Sequence, residues 1–193
     1  MEEQSRARLP ILTFPDAESL EAWLAEQPAE HKGIWLKLAK KGARVATVSQ
    51  SEAVDAGLCF GWIDGLINRF DEHFYLIRFT PRRPKSKWSL VNVERAEALI
   101  ASGRVRPGGL RQIDAAKADG RWGAAYPPAS RIRVPEDLQA ALAADPRADA
   151  AFAALKSAER YSILYRLHAL KDVQRRAAAI SAVVAKLQPD QAS

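Results

Sequence analysis

The chain has 193 residues, 48% hydrophobic and 27% charged, with a net charge of +6. That length suits one domain, or one domain with a helical annex, able to bury about 70% of its unfolded surface without staples. The single cysteine excludes an intramolecular disulfide and any cysteine-clustered metal site.

No apolar run approaches the ~18 residues of a membrane span. Met1–Arg8 has mixed charge and no apolar stretch after it, so no secretory signal is expected and a cytoplasmic protein is. Residues 9–14 (LPILTF) read as a short edge strand. Asp16 caps a helix with Leu20, Trp23 and Leu24 at helical spacing, which Pro28 ends. Residues 33–41 (GIWLKLAKK) alternate as a half-buried strand, with Ile34, Leu36 and Leu38 on one face and Trp35, Lys37 and Ala39 on the other. Ser49 and Glu52 make a capping box for a helix that stops near Gly61. Trp62 to Phe70 and Phe74 to Thr80 follow as an antiparallel pair around Asp71-Glu72, with a tighter turn at Asp64-Gly65 as the competing assignment.

Pro81 and Pro84 bar a regular element through the next run. From Ser89 onward the pattern is helical. Helices are expected over 90–101, stopping at Gly103, and over 107–118, ended by Gly120. A loop at 121–134 carries Trp122 and Tyr126. Further helices are expected over 136–144, 146–156, 157–170 and 172–187, with Gln188 to Ser193 frayed. The fold class is α+β: a small antiparallel sheet packed with helices over residues 1–134, then a helical region over 135–193 packed on that core.

Positive charge is concentrated. Between Arg78 and Arg106 lie eight cationic side chains against two carboxylates, Glu94 and Glu97, the whole excess of the chain. The run Arg78, Arg82, Arg83, Lys85 and Lys87 leads straight to a helix start through Trp88, which fits an anionic ligand. A hairpin loop of residues 70–72 would set Asp64 opposite Arg78 and Ile63 opposite Phe79. One face would then carry Trp35, Lys37, Trp62, Asp64 and Arg78, aromatic walls with paired charges. The plainer alternative is a cross-strand salt bridge beneath the helices. A bound phosphate or carboxylate is expected near Arg82 or Arg83 and the start of the 90–101 helix.

Cys59 falls in the last turn of a helix, where the helix dipole disfavours a thiolate, so a buried, inert thiol is expected. His31, His73 and His168 show no metal-ligand spacing, and no metal or cofactor is expected. Asp64 is the best single candidate for a general base, and no reaction is named by the residues.

Five stretches together resemble the bacterial YdeI/OmpD-associated family, also called bacteriocin-protection. They are GIWLKLAKKG at 33–42, CFGWIDG at 59–65, RFTPRRPKSKWS at 78–89, GRVRPGGL at 103–110 and AAKADGRWGAAY at 115–126, with VPEDLQAAL continuing into the helical end. The segment LHALKDVQRRAAAI keeps Lys171, Arg175 and Arg176 but departs from the family's usual spacing. The resemblance implies a role in stress or antimicrobial protection. The resulting expectation is a protein that binds a small anionic molecule through Lys37, Trp62, Asp64, Arg78, Arg82, Arg83 and Trp88. Its rivals are single-stranded nucleic-acid binding through residues 78–89 and a protein-interaction module with an acidic partner.

Overall fold

A computed structural model describes residues 9–188. Most of the expected fraying at Gln188 to Ser193, and the opening Met1–Arg8, lie outside the described residues. The chain divides into two compact units. One takes the chain up to Trp88 together with Asn92–Ala125, and the other takes Ser89–Val91 and the chain from Tyr126 onward.

The first unit begins with β1 (Ile11–Leu12), α1 (Ala17–Ala25), β2 (Ile34–Ala39) and α2 (Gln50–Phe60). Asp16 accepts from the Ser19 N–H at 2.8 Å, and Ser49 with Glu52 closes the expected capping box. The hairpin β3 (Trp62–Arg69) and β4 (Phe74–Pro81) follows, then α3 (Leu90–Ala101) and α4 (Pro107–Ala118). The sheet order is β1-β2-β4-β3. β1 runs parallel to β2, because α1 carries the chain back over the sheet before β2 begins; the other pairings are antiparallel. The sheet is therefore mixed, within the α+β class read from the sequence.

Alternation decides which face is covered. Ile34, Leu36 and Leu38 of β2 are buried with Ile77 and Phe79 of β4, against Leu20 and Leu24 of α1 and Ala53 and Ala56 of α2. Each such aliphatic side chain contributes about 1.5–3 kcal/mol of burial. A second cluster gathers Leu58 and Cys59 of α2, Trp88, Val93, Ala96 and Leu99, and Ile113 and Ala116 of α4.

The hairpin corrects the expected register. Near the turn Asn68 pairs with Leu76 and Arg69 with Tyr75, two residues away from the register a 70–72 loop would set, and one extra residue lies in β3 between Asp64 and Ile67. Asp64-Gly65 marks this bulge rather than a tight turn. A one-residue slip exchanges the two faces of a strand. Asp64 therefore stands opposite Phe79, and Ile63 opposite Thr80. Arg78 stands opposite Trp35 on the other face.

The second unit holds α5 (Glu136–Ala143), α6 (Pro146–Ala154), α7 (Ser157–Ala169) and α8 (Val173–Leu187). Leu138, Leu142, Ala148, Phe152, Leu164, Leu167 and Ile180 form its core, and Ile132 and Val134 pack against them. Residues 126–134 thus share a core with the helices that follow. Asp145 caps α6 and Asp172 caps α8. Asp137 at the start of α5 takes a bidentate contact from Arg176 of α8.

One junction governs how α4 enters the first unit. α2 ends at Gly61 in the left-handed region, φ 81°. The carbonyl of Cys59, one of α2's last, accepts the Arg106 N–H at 2.9 Å. A Cβ on Gly109 would lie 2.4 Å from the Cys59 carbonyl oxygen and 2.5 Å from that of Leu58. Helix propensity alone would make Gly109→Ala stabilising by about 1 kcal/mol. The close approach reverses the sign, and a loss of about 1–3 kcal/mol is expected. Urea unfolding of the variant checks this: a lowered midpoint is expected, and an unchanged or raised midpoint would contradict it.

Candidate functional site

The first unit carries a cleft of about 770 Å³. Its walls are the exposed side of α1 with the 27–29 segment, the Phe60-Gly61-Trp62 corner, the end of β4 and the first turn of α4. Cations line it at Arg82, Arg106 and Arg111, and carboxylates at Glu18 and Glu21.

Arg82 follows the last residue of β4. Its backbone N–H donates to the Gly61 carbonyl at 2.9 Å, which fixes the chain at the cleft's edge. The guanidinium folds inward, centred 3.7 Å from the Trp88 ring centroid, and the residue is only 5% exposed. A guanidinium stacked this way, away from water, gains about 2 kcal/mol from the ring. Arg106 is the N-cap position of α4, with Pro107 at the first helical position, and Arg111 lies one turn on. Among the described residues neither Arg106 nor Arg111 has a carboxylate partner. Glu21 is held by Arg104 at 2.7 Å, which also raises the Arg104 pKa. Glu18 is left as the one carboxylate of the lining not engaged in this way. The cleft is therefore net positive, and the amide dipoles of α4's first turn add to its potential.

Of the residues singled out from the sequence, the cleft gathers Trp62 and Arg82. Trp62 is 4% exposed and packs on Phe79 at 5.4 Å and Trp23 at 5.6 Å, so it forms the floor. Trp88 is buried, with its ring against Arg82 on one side and Trp122 at 4.8 Å on another. It supports Arg82 and has no open face for a planar ligand. Lys37 lies on the other side of the sheet, 4.5 Å from the Phe74 ring centroid and 5.2 Å from that of Phe70. Arg78 shares that side, whereas Asp64 is on the Phe79 side, so the expected Asp64–Arg78 pair does not form.

Arg83 is exposed at a turn in which its N–H donates to Ser86 Oγ at 3.1 Å and Ser86 N–H donates to its carbonyl at 3.0 Å. Lys85 takes the left-handed position there, φ 68°. Arg121 donates to the Ser86 carbonyl at 2.8 Å while Asp119 holds it at 2.7 Å. Local turn bonds and the Arg82–Trp88 stack thus order the loop. The helix start that lines the cleft is that of α4, not that of α3.

Sequence reasoning missed Arg106 and Arg111 as site residues. Their signal is the Arg-Pro-Gly-Gly segment: proline at a helix start, then two glycines that let a neighbouring backbone approach. Among the described residues no group of three or more His, Cys, Asp or Glu side chains is placed to hold a metal ion. No helix among them is long and apolar enough to cross a membrane.

Cys59 is 1% exposed, and burial pushes its thiol up to about 11. A thiol this protonated at neutral pH is a weak nucleophile. Thiol reagents are expected to label the chain only as fast as it unfolds, and Cys59→Ala to cost about 1 kcal/mol. Rapid labelling of the folded chain near neutral pH would contradict the assignment.

Searches of curated proteins and of solved structures return no match. Residues 131–188 match the family described as Bacteriocin-protection, YdeI or OmpD-Associated. The resemblance read from the sequence is therefore carried by the second unit, while four of the five stretches quoted for it fall in a segment that matches another family. That segment, residues 12–112, is just over half of the chain, and through it the chain belongs to the family described as Domain of unknown function (DUF8412).

Proposed function

We propose that the first unit binds a small phosphate- or carboxylate-bearing molecule in the cleft between α1 and α4, and that this binding serves a protective role. The protective role draws on the description of the family matched by residues 131–188. The observation that carries the binding is the convergence of Arg82, Arg106 and Arg111 on one concavity, two of them without carboxylate partners. Guanidinium groups match such oxygens in bidentate geometry. Arg82, already stacked and desolvated, is presented with little entropy left to lose on binding. Glu18 on the facing wall disfavours a second negative charge at that end of the ligand and suits an ammonium. No covalent step follows from these residues.

A second reading rests on Arg83, Lys85 and Lys87, which are exposed together on the loop after β4. They suit a polyanion such as single-stranded nucleic acid. The two readings differ in salt dependence, since many phosphate contacts release many counterions.

Titration of the full chain with inorganic phosphate, followed through the amide signals of Gly108 and Gln112 at the cleft, tests the first. A saturable shift is expected. Arg106→Gln with Arg111→Gln should weaken it about 10- to 100-fold, as loss of a charge-assisted hydrogen bond worth about 1.5–3 kcal/mol requires. Unmoved signals, together with oligonucleotide binding whose log–log salt slope is steeper than about −4, would replace the small-anion reading with the nucleic-acid one.

A further inference from the structure

The second unit carries a pocket of its own, about 500 Å³, between the 127–135 segment, the C-terminal end of α7 and the link to α8. Arg131, Arg133, His168, Lys171 and Arg176 line it, and no carboxylate does. Arg176 is already committed. Its Nε and Nη2 donate to the two oxygens of Asp137, the latter at 2.9 Å, and its Nη1 to the Leu167 carbonyl at 2.5 Å. These bonds hold the guanidinium as a fixed wall and hold the Asp137 carboxyl below its ordinary range. Asp137's charge is thereby spent on Arg176. Among the described residues Arg133 and Lys171 make no hydrogen bond or ion pair.

The ring of His168 supplies the second observation. Its Nε2 is buried and has no hydrogen-bond partner among the described residues. Leaving such a group unsatisfied costs about 1–3 kcal/mol, so native structures normally provide a partner. Here His168, with its unmet ring nitrogen, lines the same pocket as Arg133 and Lys171, two cations that no carboxylate among the described residues pairs. An oxygen anion meets both needs at once.

We propose that this pocket is a second anion site, separate from the cleft of the first unit. It would take a small phosphate- or carboxylate-bearing molecule that accepts from His168 Nε2–H while Arg133 and Lys171 balance its charge. Arg176, immobilised by Asp137, shapes the wall and needs no rearrangement when the anion enters. The site draws on no residue of the first unit, so it stands or falls independently of the function proposed there.

The test uses the three histidines of the chain, His31, His73 and His168. Ring signals of the full-length protein are recorded at fixed pH and constant ionic strength while inorganic phosphate, and in a parallel series acetate, replaces sodium chloride. His168→Gln identifies the signal by removing it. The His168 signal is expected to follow a saturable curve with one or both anions, with a dissociation constant of about 1 mM or tighter. The tighter of the two names the ligand class. Arg133→Gln with Lys171→Gln, both exposed positions that leave the core intact, should weaken the response about tenfold or more. Arg106→Gln with Arg111→Gln should leave it unchanged. A His168 signal that neither anion moves, that sodium chloride moves equally, or that ignores the Arg133 and Lys171 substitutions would overturn the proposal.

Discussion

The first unit depends on a close approach at Gly61. This residue ends α2 in a conformation that disfavours side chains, and its carbonyl accepts the N–H of Arg82. A Cβ on it would lie 2.7 Å from the Gly108 carbonyl oxygen. Three segments thus meet without side chains between them: the end of α2, the end of β4 and the beginning of α4. The contact is also electrostatically favourable, because the carbonyl end of one helix faces the amide end of another. Glycine at 61, 108 and 109 is therefore required by space as much as by conformation.

The cleft follows from that junction. Pinning the start of α4 against the end of α2 puts Arg106 and Arg111 on the same concave surface as Arg82. α1 forms the opposite wall because Leu20 and Leu24 anchor its inner side to the sheet, which turns Glu18 and Glu21 toward the gap. Arg104 neutralises Glu21, so the two arginines of α4 set the surplus of positive charge beside Arg82. Trp88, buried behind Arg82, holds that guanidinium in place and at the same time shelters it from water. The basic run in the sequence is thereby split into one residue turned to the cleft and several turned to solvent, which is why binding of a small anion and binding of a polyanion call on different side chains.

The helices and their ends were legible because their signals are local. Asp16, Ser49 with Glu52, Pro107 and Asp172 each act within one turn of the helix they begin. The alternation of Ile34, Leu36 and Leu38 likewise names the buried face of β2 directly. What could not be read was the pairing of β3, since a bulge adds a residue without any marker stronger than Asp64-Gly65, a dipeptide equally at home in a turn. That single residue sets Asp64 on the face opposite Arg78. The candidate site was half legible for a related reason. Trp62 and Arg82 were found through composition near a chain reversal, whereas Arg106 and Arg111 join them only through the packing of α4 on α2, a contact across some 45 residues of chain that no local pattern announces. Trp88, expected among the residues that bind the ligand, is instead a platform for Arg82.

Crystals of the full chain grown in selenate, with anomalous scattering recorded at the selenium edge, test the central claim most directly. The account requires a selenate ion within hydrogen-bond distance of Arg106 and Arg111, beside an Arg82 still stacked on Trp88. Selenate bound only at the exposed Arg83, Lys85 and Lys87, with the cleft empty, would contradict it.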